Sequence, residues 1–312
     1  RMIYTVTLNP AIDKTVVIPG FSENRVNRIQ SSRIDAGGKG INVSKCISLL
    51  GGSSIAVVLL AGASGKWIRS FLRSAPGITT MESWCQQGET RTNLKIIDPE
   101  RHHNTDINEL GPTVGKAVLT EIQERLLSSV KSNDTVVLSG SLPEGAPATL
   151  YRDWSILLRE KGARIFLDAD GKALTYGVDS MPFLLKPNRE ELSELCAQPL
   201  MDKGALIYAG RTLLGKGSER IVISMGGDGA LFLSKEEQFQ VTAPQVTVRS
   251  TVGAGDSMVA ALAFGMSAGL PWREQAKLAV ACGCASVTRS GTEPPSLSDV
   301  QALFQQVHIR DI

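Results

Sequence analysis

One stretch of the chain sets an acid inside an anion-binding turn. Arg249-Ser-Thr-Val-Gly-Ala-Gly-Asp-Ser-Met258 runs straight into Val259-Ala-Ala-Leu-Ala-Phe-Gly-Met-Ser-Ala268. Gly253 and Gly255 free the backbone for a tight turn, and the small apolar run after Asp256 reads as a buried helix. Gly253 to Asp256 are therefore expected at a helix N-terminus. Unpaired N–H groups and the positive end of the helix dipole favour an anion there. A loop that only holds phosphate gains nothing from a carboxylate, whereas a loop that also removes a proton does. With a hydroxyl between Asp256 and a phosphoryl donor, Asp256 serves as general base while the amides of Gly253, Ala254 and Gly255 stabilise the transferred charge. The alternative is that Asp256 only caps the helix, a role Asp commonly fills.

A second glycine stretch, Asp35-Ala-Gly-Gly-Lys-Gly-Ile-Asn-Val43, places Gly37, Gly38 and Gly40 around Lys39, so backbone can approach a ligand. Ile41, Val43, Ile47, Leu49 and Leu50 continue it as a helix ended by Gly51. The Gly-x-x-x-x-Gly-Lys-Ser/Thr spacing of a nucleotide P-loop is absent from the chain, which favours a sugar-binding turn. Ile3 to Leu8 reads as a strand, with Asp13 just past its C-terminal end, where ligands bind in open α/β sheets; Asp13 is otherwise a turn residue after Pro10. Arg91, on the alternating stretch Thr90 to Asp98, could fork onto a phosphate. Lys186-Pro-Asn-Arg-Glu-Glu191 sets Asn188 and Glu191 three apart at a helix start, a spacing able to orient waters on Mg²⁺. Glu191 as a simple helix-start acid is the other reading. Gly226-Gly-Asp-Gly229 forms a backbone-lined edge that a base or ribose could approach.

These segments sit in a doubly wound rhythm. Strands at 54–60, 135–138, 164–167, 183–185, 220–224, 230–234 and 238–241 alternate with helices at 119–130, 148–161, 205–214 and 272–288. Thr15 to Pro19 and Arg25 to Asp35 read as an exposed flap carrying Arg25, Arg28 and Arg33, and the polar run from Asp98 to Gly111-Pro112 as a loop. Ser139-Gly-Ser-Leu-Pro143 closes the strand before it, and Ser290-Gly-Thr292 reads as a further turn. Against 31 acidic residues stand 33 basic ones, so the net charge of +2 gives no general pull toward nucleic acid or membrane. Five scattered cysteines suit reduced thiols, and no leader or spanning segment is read, which together favour a cytoplasmic protein. Cys282-Gly-Cys284 reads as small helix-core residues before a metal pair. A nicotinamide enzyme is disfavoured, because no Gly-x-Gly-x-x-Gly follows the first strand.

Gly37-Gly-Lys-Gly-Ile-Asn-Val43 together with Ser250-Thr-Val-Gly-Ala-Gly-Asp-Ser257 resembles the paired signatures of PfkB-type, ribokinase-like sugar kinases, over essentially the full length. Thr5-Val-Thr-Leu-Asn-Pro-Ala-Ile-Asp13, Ser139-Gly-Ser-Leu-Pro143 and Lys186-Pro-Asn188 are similar to the branch holding 1-phosphofructokinases, tagatose-6-phosphate kinases and the minor 6-phosphofructokinase. The resemblance implies a Rossmann-like three-layer α/β sandwich with a mostly parallel central sheet, one kinase domain over 1–312, and a β-sheet lid from about 14–35 and 88–105. It implies Asp256 as base, with Gly253, Ala254 and Gly255 in the anion hole. Asp13, Gly37, Gly38, Lys39, Asn42 and Ser139 would hold the sugar, and Arg91 the phosphate it already carries. Lys186, Asn188, Ser224, Gly226, Gly229 and Thr251 would border ATP, with Glu191 near Mg²⁺ through water. Arg28 matches a position that can reach the neighbour's substrate in a homodimer clasped through the lids. Asp168-Ala-Asp170 and Arg289-Ser-Gly291 depart from the pattern near the nucleotide. The expected reaction is ATP-dependent conversion of fructose 1-phosphate to fructose 1,6-bisphosphate. Tagatose 6-phosphate is the alternative acceptor, and a non-catalytic sugar-phosphate or nucleotide sensor the alternative class.

Overall fold

The structure, a computed structural model, describes residues 1–289 and 294–312; the turn expected at Ser290 to Thr292 and the end of Arg289-Ser-Gly291 lie outside them. In chain order the first half runs β1 (Ile3–Thr7), β2 (Ala11–Val17), β3 (Ser31–Gly37), α1 (Lys39–Leu49), β4 (Ser54–Leu60), α2 (Gly62–Ser74), β5 (Ile78–Trp84), β6 (Arg91–Asp98), β7 (His103–Asn108), α3 (Lys116–Ser129) and β8 (Thr135–Ser139). Next come α4 (Leu150–Glu160), β9 (Arg164–Asp168), α5 (Gly171–Val178), β10 (Leu184–Leu185), α6 (Arg189–Leu195), α7 (Lys203–Gly215), β11 (Arg220–Ser224) and β12 (Ala230–Leu233). The chain closes with β13 (Gln238–Thr242), α8 (Ala254–Ser267), α9 (Trp272–Val287), α10 (Leu297–Phe304) and β14 (His308–Asp311).

The large sheet is ten-stranded, in the order β14-β13-β12-β11-β10-β9-β8-β1-β4-β5. From β11 to β5 every pairing is parallel, whereas β11 to β14 pair antiparallel. Parallel strands joined by crossover helices are covered on both faces, so the inner ones are mostly apolar, while the edge strand β5 is not. Ile165 and Leu167 of β9 pack with α3 to α7, while Phe166 between them packs with α1, α8, α9 and α10. Ile221, Val222 and Ile223 divide in the same way, which makes the molecule three layers deep. At the antiparallel end Trp272 of α9 meets Phe232 and Phe239 edge-on, with centroids 5.5 and 6.2 Å away. Each such pair adds roughly 0.5–1.5 kcal/mol beyond area burial and ties α9, a wall of the site below, to the sheet.

A second sheet, four-stranded in the order β3-β2-β6-β7, lies against one side. It runs from Ala11 to Gly37 and from Arg91 to Asn108, beyond the expected 14–35 and 88–105 at several ends. Asp13, expected just past the C-terminal end of the first strand and alternatively as a turn residue, lies within β2, opposite Asp35 of β3 and beside Asn93 of β6. The run after Asp98, expected as a loop, contains β7, every residue of which is exposed. Its polar composition reflects an edge strand with no buried face. The β-like stretch expected from Arg25 narrows to Ser31 onward, which leaves Arg28 in an irregular exposed segment. β5, α5, α10 and β14 had no clear signal, being edge strands or helices of eight residues.

Candidate functional site

Two helix N-termini meet at the carboxyl ends of the central strands. Gly253 takes the left-handed conformation (φ 81°) that lets the chain turn into α8, and Gly38, also at positive φ (111°) but with an extended ψ of 141°, precedes α1. Neither start is capped by a side chain, so first-turn N–H groups remain for a ligand. Asn42 Nδ2 donates to Asp256 Oδ2 at 2.8 Å, joining the two glycine stretches across 214 positions of sequence. Asp256 is 6% exposed. Burial, and then the charge of Asp168, push its carboxyl from the usual 3.8 up to about 6, against the opposing pull of Lys39, Asn42 and Lys186. A carboxylate poised near neutral pH is suited to accept a proton.

Around this pair lies a cleft of about 930 Å³. It brings together the expected Asp13, Gly38, Lys39, Asn42, Arg91, Lys186, Asn188, Glu191, Ser224, Gly226, Gly229, Thr251 and the whole Gly253–Asp256 turn. Three expected residues lie elsewhere. Gly37 is buried just behind the wall, where a Cβ would sit 1.9 Å from Asp13 Oδ2, so glycine is required for that carboxylate to rest there. Ser139 is buried at the end of β8, with its carbonyl accepting from the Tyr151 hydroxyl. Arg28 is exposed and outside the cleft.

At the end near the small sheet, Asn93 Nδ2 donates to Asp13 Oδ1 at 3.2 Å, and Arg91 Nε donates to the Asn9 carbonyl at 3.2 Å. Asn42 Oδ1 and Asn93 Oδ1 are buried and, among the described residues, accept no hydrogen bond. Buried acceptors left open call for donors such as substrate hydroxyls. At the other end, Asn188 Oδ1 accepts from the Glu191 N–H at 2.8 Å, and Glu191 Oε2 from the Asn188 N–H at 2.9 Å. This reciprocal capping box fulfils the helix-start reading of Glu191 and still leaves the residue on the cleft wall. Met258, Val280, Gly283, Cys284 and Val287 line an apolar corner beside it. Sequence reasoning missed that corner, since these residues read only as the interiors of two buried helices.

Asp168 was noted in the sequence but given no role. It stands at the end of β9, 3% exposed, with Lys186 Nζ 3.4 Å and Lys39 Nζ 3.8 Å from the same Oδ1. Burial opposes its ionisation, yet Lys186 and Lys39 hold its carboxyl below the usual range. Asp168 in turn raises the Lys39 ammonium above its ordinary value.

A base, two uncapped helix starts and two ammoniums around one cleft can move a phosphoryl group onto a hydroxyl. The chain belongs to the pfkB family of carbohydrate kinases, whose model matches residues 6–299. It is accordingly a sugar phosphotransferase with an alcohol group as acceptor. The 1-phosphofructokinase of Rhodobacter capsulatus is 36% identical over 99% of this chain and 98% of its own length, and that of Bacillus subtilis 35% identical over 99% of each. Phosphofructokinase-2 of Escherichia coli in complex with fructose-6-phosphate superposes with a TM-score of 0.91 at 28% identity, over 97% of this chain and 98% of that one. Among the described residues no helix is long and apolar enough to cross a membrane.

Proposed function

We propose that this kinase phosphorylates fructose 1-phosphate with ATP, giving fructose 1,6-bisphosphate and ADP. The observation that carries the reading is the Asn42–Asp256 contact, which sets the buried base where the sugar side of the cleft meets the anion turn. Asp256 takes the proton of the acceptor hydroxyl, the hydroxyl oxygen attacks the γ-phosphorus, and the bond to the β-phosphate's bridging oxygen breaks as ADP leaves. The amides of Gly253, Ala254 and Gly255 stabilise the charge in flight. Asp13, Asn42 and Asn93 orient the sugar hydroxyls, with Gly37, Gly38, Lys39 and Ser139 shaping that wall. Arg91 holds the phosphate the sugar brings. Lys186, Asn188, Ser224, Gly226, Gly229 and Thr251 border ATP, with its base in the apolar corner by Met258.

No three His, Cys, Asp or Glu side chains among the described residues form a metal cage. The Glu191 carboxylate on the cleft wall would hold, through water, Mg²⁺ carried in on the phosphates, since Mg²⁺ dehydrates reluctantly. Bound there, the ion would offset negative charge on the nucleotide phosphates. The molecule acts as one kinase domain with the small sheet as lid. Two copies pair through these sheets, where Ile34 and Ile107 are about half exposed. Arg28, outside its own cleft, then faces the neighbour's substrate; light scattering checks the dimer.

The deciding experiment is kcat/KM for fructose 1-phosphate, fructose 6-phosphate, tagatose 6-phosphate and free fructose at fixed Mg-ATP. A tenfold or greater preference, roughly 1.4 kcal/mol of transition-state discrimination, for fructose 1-phosphate is expected. Preference for tagatose 6-phosphate reassigns the acceptor. Turnover of free fructose alone removes the phosphate role of Arg91, and no turnover at all favours a sensor.

A further inference from the structure

Lys39 and Lys186 come from separate parts of the chain, one at the first turn of α1 and the other on the segment after β10. They converge on one atom, Asp168 Oδ1. Lys186 Nζ also lies 3.0 Å from the point where a side chain on Gly255 would begin, so its ammonium rests directly on the anion turn. We infer that Asp168 is a positioning residue for the transfer step, its single carboxylate holding both ammoniums against the Gly253–Asp256 turn where the phosphoryl group crosses. The inference rests on the kinase reading above.

The bland account is a buried ion pair kept for stability, but three observations speak against it. Lys39 is 34% exposed, so solvent meets part of its charge without Asp168. Both lysines line the cleft. A buried carboxylate stabilises a fold weakly, because desolvation offsets most of its attraction. What the shared carboxylate does supply is a reason for two like charges to stand together. Lys39 and Lys186 repel each other, and without an anion between them the flexible ammoniums swing apart. An incoming triphosphate is itself an anion, so ground-state binding tolerates the loss of Asp168 or gains from it. The crossing phosphoryl group needs both cations in fixed places, and that demand falls on kcat.

The test is Asp168→Asn, with kcat, KM and calorimetric binding of a non-hydrolysable Mg-ATP analogue. Expected are a kcat lowered about 10- to 100-fold, as for a misplacement near 1 Å, and nucleotide binding as tight as in the wild type or tighter. In the Lys186→Met background the further loss from Asp168→Asn should be clearly sub-additive, because the carboxylate acts through the lysines. Should Asp168→Asn fail to fold, Asp168→Glu shifts the same charge by one methylene and is expected to lower kcat without weakening nucleotide binding. Weaker nucleotide binding in a folded variant, additive losses, or recovery of kcat by excess Mg²⁺ would each overturn the inference, the last by making Asp168 a holder of the cation. If the wild type phosphorylates no sugar, the kinase reading fails. The calorimetry then still decides whether Asp168 governs the anion affinity of the two lysines.

Discussion

The two walls of the cleft differ in what holds them. Asp256, Asp168 and Lys186 are at most 6% exposed; Asp168 ends β9, which is packed on both faces, Asp256 starts the mostly buried α8, and Lys186 follows β10. Asp13, Arg91 and Asn93 stand on strands of the four-stranded sheet, where β7 is wholly exposed and the cluster of Val16, Ile18 and Ile96 is small. The rigid wall can hold a proton acceptor and cations within tenths of an ångström, and its burial is what lifts the Asp256 carboxyl. The thin wall cannot be so exact. It is suited to recognising the acceptor and to moving with it. If this division holds, damage to the first wall lowers kcat and damage to the second raises KM.

The sharpest break is Asp256→Asn. It keeps the Asn42 contact geometry but removes the base, so kcat should fall about a hundredfold or more with little change in KM for either substrate. Near-normal kcat would return Asp256 to a helix cap. Next in size is Gly37→Ala. The added methyl would meet Asp13 Oδ2 at 1.9 Å, so the carboxylate must move out of its place beside Asn93. The expected result is a KM for the sugar phosphate raised about tenfold, with roughly 1–3 kcal/mol lost from stability in thermal unfolding. An effect on kcat alone would contradict the assignment of that wall to recognition.

The sequence was most legible where the walls are rigid. Gly253 and Gly38 announce their turns because only glycine takes those backbone angles cheaply, and the apolar run after Asp256 leaves few choices besides a buried helix. The small sheet was harder to read. Its strands bury little, so β7 carries no apolar alternation, and Asp13, read as just past the first strand, lies inside a second strand whose pairing starts at Ala11. Asp168 was visible as a residue and opaque as a site, since its partners Lys39 and Lys186 lie far from it in sequence and meet only through the strand order. Asn93 lacked any signal of its own; its role is visible only from the register that sets it beside Asp13.

A pH profile gives the next largest effect and a sign that is hard to imitate. The free enzyme's kcat/KM should rise with pH through about 6 as Asp256 ionises, falling about tenfold for each unit below, and the limb should vanish in Asp256→Asn. Stability should move the other way. Because the folded carboxyl is raised above the usual 3.8, the folded chain binds more protons than the unfolded one between that value and about 6, so this group's contribution falls as pH rises across the window. Asp168, held below the usual range, contributes stability that is present above that range and lost as pH falls through its lowered value. Thermal unfolding of Asp256→Asn against wild type from pH 4 to 7 isolates the first term: the variant's advantage should grow with pH.

The smallest expected effect bears most directly on the thin wall. Arg91→Lys keeps the charge but loses the planar fork and the Nε donor that fixes the side chain to the Asn9 carbonyl. A lysine there can still attract the acceptor's phosphate as a point charge. KM for fructose 1-phosphate should therefore rise about three- to tenfold, roughly 0.7–1.4 kcal/mol, with kcat nearly unchanged. Whatever slow turnover free fructose supports should not respond, because it has no phosphate for Arg91 to meet. If kcat falls with KM, Arg91 is placing the reacting hydroxyl as well as binding the phosphate, and the thin wall must then be as exact in the closed complex as the one opposite. If neither changes, the acceptor's phosphate is held by Lys14 or Lys95, which line the same end of the cleft.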